Sequence, residues 1–139
     1  MKAVLPLLVA LTSAVSTVAL NAKADEASLS IRKASPFFCN HMALTAAERK
    51  RHFEELGPKL HSFRKSVREL NNGYEFEFPG DAATYQLLTE WAIQERLCCP
   101  FFDIGLRLEP ENGPIWLSLT GRPGTKEFIK VDAPKWVKQ

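Results

Sequence analysis

The stretch Gly73–Phe102 reads GYEFEFPGDAATYQLLTEWAIQERLCCPFF. Tyr74, Phe76 and Phe78 alternate with Glu75 and Glu77, the period of a strand with one buried and one wet face. Pro79-Gly80 ends the run, and Asp81 stands where a side-chain oxygen caps a helix from about Ala82 to Cys98. At about 100° per residue, Leu88, Trp91, Ala92, Glu95 and Cys99 fall on one face of that helix. A half-buried strand followed at once by a helix with one apolar face predicts a helix packed on a sheet.

Upstream, LTAAERKRHFEEL (Leu44–Leu56) opens with a capping box, Thr45 followed three residues on by Glu48. Phe53, Leu56, Leu60, Phe63, Val67 and Leu70 then form a helical seam, with Asn71-Asn72-Gly73 as its end. Gly57-Pro58 interrupts the seam and predicts a kink, or two helices with Pro58 at the first position of the second. Downstream, DIGLRLEPENGPIWLSLTG (Asp103–Gly121) reads as a hairpin. Ile104, Leu106 and Leu108 alternate on the way out, and Ile115, Leu117 and Leu119 on the way back. Gly121–Gly124 turns the chain and Thr125 opens a short last helix. The expected fold is α+β: a two-layer sandwich with an antiparallel sheet of three or four strands and helices packed on one face. A fourth strand, if present, falls around Leu29–Ile31. By parity Trp116 points away from the buried face, an exposed aromatic that would suit a homodimer surface or cover by the tail bearing Trp136.

The chain begins MKAVLPLLVALTSAVSTVALNAKADE. Lys2, an apolar run and the small-x-small triplet Ala22-Lys23-Ala24 are the layout of a secretory signal peptide, with cleavage expected after Ala24. That leaves residues 25–139 as one domain, residues 25–36 as a loosely held arm, and no stable membrane span after cleavage. A secreted or periplasmic location follows. The chain carries 18 basic and 16 acidic residues, and the leader holds Lys2, Lys23 and no acid, so the mature protein is formally neutral. Its charge therefore gives no reason to propose nucleic acid as a partner.

Glu95 sits at the centre of the apolar face of its helix, where a carboxylate is costly unless paired or ligating. Arg49, four residues before Phe53, lies on the facing seam, so a buried Glu95–Arg49 pair is the expected arrangement; a catalytic or ligating Glu95 is the alternative. The chain has three cysteines, Cys39, Cys98 and Cys99. Neighbouring α-carbons about 3.8 Å apart do not suit a disulfide within the pair. Pro100 pushes Cys99 out of helical geometry and lets the two thiols converge. Cys39 precedes the first helix, so its sulfur is expected beside one of the pair, at disulfide or shared-metal distance.

A helix C-terminus raises a thiol pKa, which argues against a reactive thiolate and so against an enzyme. A soft ion supplies the missing positive charge. Cys39, Cys98 and Cys99 with His41 or Glu95 make a candidate site for copper, zinc, mercury or trivalent arsenic, although the spacing is that of no zinc motif. His61 falls off the seam and His52 lies beside it, and both are expected in solvent. Three readings stay open: a soft-metal binding module, a redox protein cycling a Cys39–Cys98 or Cys39–Cys99 disulfide, and a structural domain whose cysteines only pack. The run Glu95–Phe101 (E-x-x-C-C-P-F), with LRLEPENGPIWLSLTG and KEFI, resembles a family of small uncharacterised bacterial proteins over roughly residues 39–129. The resemblance implies one domain and singles out Glu95, Cys98 and Cys99; it implies no particular reaction.

Overall fold

The computed structural model describes residues 34–138. The expected leader, its cleavage site, most of the arm and the strand around Leu29–Ile31 lie outside them. Strands β1 (Ser66–Leu70), β2 (Gly73–Phe78), β3 (Asp103–Leu108) and β4 (Ile115–Thr120) form one antiparallel sheet in the order β1-β2-β4-β3. Helices α1 (Ala46–Lys50), α2 (Gly57–Phe63), α3 (Ala82–Cys98), α4 (Thr125–Asp132) and the short α5 (Pro134–Val137) accompany it. The α+β sandwich expected from the sequence is the fold. Among the described residues, no helix is long and apolar enough to cross a membrane.

The fourth strand is β1, in a segment the seam had assigned to helix. The helix ends at Phe63, and Val67 pairs with Phe76 across a hairpin whose two turn residues are Asn71 and Asn72. The three- and four-residue steps to Val67 and Leu70 imitate a helical seam. Pairing with β2 wins because β2 is buried along its length and needs ladder partners on both edges.

Tyr74, Phe76 and Phe78 of β2 oppose Leu119, Leu117 and Ile115 of β4, and all six are buried. Leu56, Leu60, Leu88, Trp91 and Ile129 close the core over this face, with Trp136 packed against it. The other face carries charge. Arg68 and Arg107 both bond Glu75, and their guanidinium groups lie 4.3 and 5.6 Å from the Trp116 ring. The Trp116 indole N–H donates to Glu109 at 2.9 Å. Trp116 is therefore only 6% exposed, covered by arginine stems and planes and not by the tail, so the exposed aromatic patch that suggested a homodimer is not there. Trp136 lies instead on the core side, 5.4 Å from both Phe76 and Trp91.

Local signals set the ends of the site-bearing helices. Thr45 and Glu48 exchange both capping-box bonds. Asp81 caps α3 by accepting from the Thr84 amide at 2.9 Å and its hydroxyl at 2.7 Å. Between α1 and α2 the chain makes a π-helical turn, Arg51–Leu56, closed by the Gly57 N–H donating to the His52 carbonyl. Pro58, second residue of α2 and not its first, has no N–H and crowds the preceding turn, so the turn widens to an i→i+5 bond and holds one extra residue. The axis is not broken into separate helices. The register is shifted instead, which rotates His52 inward to 2% exposure and leaves Phe53 at 39%.

Candidate functional site

Helix α3 ends as expected. Cys98 is its last residue, and Cys99 leaves helical geometry at φ −121°, ψ 70° ahead of Pro100. The segment before α1 runs past this end. The Asn40 N–H donates to the Cys98 carbonyl at 2.8 Å, satisfying one of the acceptors that a helix C-terminus leaves open. Phe37 anchors the segment against Phe101 and Phe128, under the Arg122 guanidinium. Gly124, at φ +100°, makes room for it: a β-carbon there would meet the Phe37 ring at 2.8 Å.

This approach brings Cys39 to Cys99 with α-carbons 4.7 Å apart, and the two form a disulfide across a sequence separation of 60. Cys98 stays a free, fully buried thiol. The three sulfurs lie within 4.8 Å of one another. Among the described residues this is the one group of three or more potential metal ligands so placed; His41 and Glu95, expected as further ligands, do not join it. His41 is exposed and packs on Phe53 at 4.5 Å.

Glu95 is buried, as its place on the helix requires, but its partner is His52. Nε2 of His52 lies 2.8 Å from Oε2 of Glu95, and because a carboxylate only accepts, Nε2 carries the proton and donates it. The Glu95–Arg49 pair is not formed. Arg49 donates to the Leu44 carbonyl at 2.6 Å, because the extra residue of the π turn presents His52 to α3. Arg51 supplies the arginine tie between the helices, gripping both Glu90 oxygens at 2.8 Å and also bonding Glu55. Those bonds raise the Arg51 guanidinium above its usual range and hold the Glu90 carboxyl below its own. The expected solvation of His52 is thus reversed. His61 is also engaged, donating from Nε2 to the Lys135 carbonyl at 2.8 Å.

A cleft of about 520 Å³ opens between the π turn and the C-terminal segment. Its walls include all three histidines of the chain. Arg64 fixes the C-terminal wall by donating to the carbonyls of Lys135, Trp136 and Lys138. Of the three cysteines only Cys39 lines the cleft; Cys98 and Cys99 are wholly buried. Oδ2 of Asp132 lies 3.7 Å from the Cys39 sulfur. In the disulfide that sulfur has no proton to give, so this is a contact; after reduction it can become an S–H···O bond.

Burial first, then the Glu95 and Asp132 carboxylates, push the Cys98 thiol up to about 11 from an ordinary value of 9.0. The direction agrees with the expectation from the helix end, but desolvation and two carboxylates cause it. Both charges acting on the thiol are negative, opposite to what a nucleophilic cysteine needs. Native Cys98 should resist alkylation by iodoacetamide at pH 8 and react at once when unfolded in urea; rapid native labelling at pH 8 would contradict this environment. A raised thiol pKa also contributes stability that is fully present below about pH 9 and lost as the pH rises through about 11. Cys98→Ala should flatten that alkaline loss in urea titrations.

His52 and Asp132 escaped the reading of the sequence. Gly57-Pro58 was the available signal for His52, because a proline there shifts the register of the turn before it. Asp132 carries no local signal; it reaches Cys39 across a sequence separation of 93. No protein-family model, curated protein or solved structure matches this chain.

Proposed function

We propose that the protein is a small redox-gated binding module for a soft, thiophilic ion. The observation that carries the reading is the convergence of three sulfurs, two joined as a disulfide and the third left as a thiol. In the oxidised state the disulfide withholds two ligands. An external dithiol reduces it by supplying two electrons and two protons and becomes a disulfide itself, leaving Cys39, Cys98 and Cys99 as three thiols. On the reading of residues 1–24 as a secretory leader, the chain works outside the cytoplasm and rests in the oxidised state until it meets such a donor.

Charge ranks the ions. Three thiolates bring three negative charges into a buried place already facing Glu95 and Asp132. Copper(I) leaves two of those charges uncompensated and mercury(II) one, whereas trivalent arsenic leaves none. Arsenous acid and three thiols give a neutral trithiolate and three waters, with no proton left over. Trivalent arsenic is therefore the ion that fits best.

Titrating the reduced protein with arsenite tests the reading. One arsenic should bind per chain and remove all three thiols from reaction with a disulfide reagent. The disulfide form should bind none. Saturation with thiols still reactive, or equal uptake by both forms, would refute it.

A further inference from the structure

Resting on that reading, we propose that the centre accepts organic trivalent arsenic carrying an aromatic group, with arsenic on the sulfurs and the ring in the cleft. The bare ion does not account for the cleft. About 520 Å³ is many times the space of one ion and falls within the range of small-molecule sites, roughly 300–1,000 Å³. Buried Cys98 and Cys99 face no open space, so the way from solvent to the sulfur cluster passes Cys39 in the cleft wall. A ligand attached there projects its remaining substituent into that space.

The walls state what the substituent is. Phe53, Pro58, Trp91, Pro134 and Trp136 line the cleft, with Trp91 stacked by His52 at 5.5 Å and packed by Trp136 at 5.4 Å. Such walls favour a flat apolar ring through edge and offset contacts. A free thiol-bearing anion fits less well, because Asp132 stands 3.7 Å from the Cys39 sulfur and repels an incoming thiolate. The covalent step balances: an arylarsonous acid, R–As(OH)₂, condenses with two thiols to R–As(S)₂ and two waters. Cys39 supplies one sulfur and the adjacent pair the other, so one thiol remains.

The test compares phenylarsonous and methylarsonous acids on the reduced full-length protein, read by tryptophan fluorescence and thiol counting. Both should consume two thiols and spare one, where arsenite consumes three. The phenyl compound should bind about tenfold tighter, the scale expected when ring carbons leave water. Ala133→Phe, which fills the cleft from its wall, should bring the two affinities together, with arsenite still consuming three thiols at equilibrium. Phe53→Ser, at a partly exposed position of the mouth, should also reduce the preference and guards against misfolding of the first variant. Equal phenyl and methyl affinities in the wild type, or a preference that survives Ala133→Phe, would overturn the inference while leaving the soft-ion reading standing. Failure of arsenite itself to bind would overturn both.

Discussion

Reducing the Cys39–Cys99 disulfide should lower the unfolding free energy by about 4 kcal/mol, the chain-entropy value for a loop closed across 60 residues. That is a large share of the roughly 5–15 kcal/mol that holds a domain of this size together. Reduction also frees the segment carrying Phe37 and Asn40, which cover the end of α3. The effect should appear as a fall in the urea midpoint on adding a dithiol, and Cys39→Ser should reproduce it without reductant. Arsenite added to the reduced wild type should restore much of the loss, because a ligand that binds only the folded form stabilises it by mass action. An unchanged midpoint on reduction would mean that the bond contributes nothing to folding. Unchanged stability on adding arsenite would separate a structural disulfide from a binding centre.

Removing Glu95 should also be costly. Glu95→Ala leaves buried His52 without the acceptor for its Nε2 proton, and a buried donor left unsatisfied costs about 1–3 kcal/mol. Replacing both His52 and Glu95 with leucine should recover much of this, since an apolar pair leaves nothing unsatisfied. A double-mutant cycle distinguishes the partners. Glu95 and His52 should couple by more than about 1 kcal/mol, and Glu95 and Arg49 by close to zero. Strong coupling to Arg49 would place the π turn in the wrong register.

These two residues show where a linear reading succeeds and where it stops. That Glu95 is buried follows from a regular helix with clear caps, Asp81 at one end and Pro100 beyond the other, so counting about 100° per residue is valid along all of α3. Its partner lies across a helix that is not regular. The π turn before Pro58 inserts one residue, and a single-residue shift is enough to replace Arg49 and Phe53 with His52. Strand β2 was legible because alternation over six residues has no helical counterpart. Strand β1 was not, because Val67 and Leu70 also satisfy helical spacing, and the Asn71-Asn72 turn serves equally as a helix stop. Trp116 was placed on the correct face, but its cover comes from Arg68 and Arg107 on two other strands, a relation set by sheet order.

The cysteines were legible for a physical reason that tolerates such errors. Their meeting needs only that α3 end at Cys98 and that the chain before α1 pass that end. Neither condition depends on the register of the π turn or on the identity of β1. The choice among three roles was not legible, because it depends on charge in three dimensions. Glu95 and Asp132, contributed by separate helices, make the place poor for a thiolate, which is one support for the proposed soft-ion role.

X-ray absorption at the arsenic edge, on reduced protein loaded with one equivalent of arsenite, tests that assignment most directly. Three sulfur neighbours and no oxygen in the first coordination sphere are expected, with Cys98→Ser reducing the count to two sulfurs and one oxygen. A wild-type spectrum showing two sulfurs and one oxygen, unchanged by Cys98→Ser, would leave Cys98 as packing and contradict the three-sulfur centre.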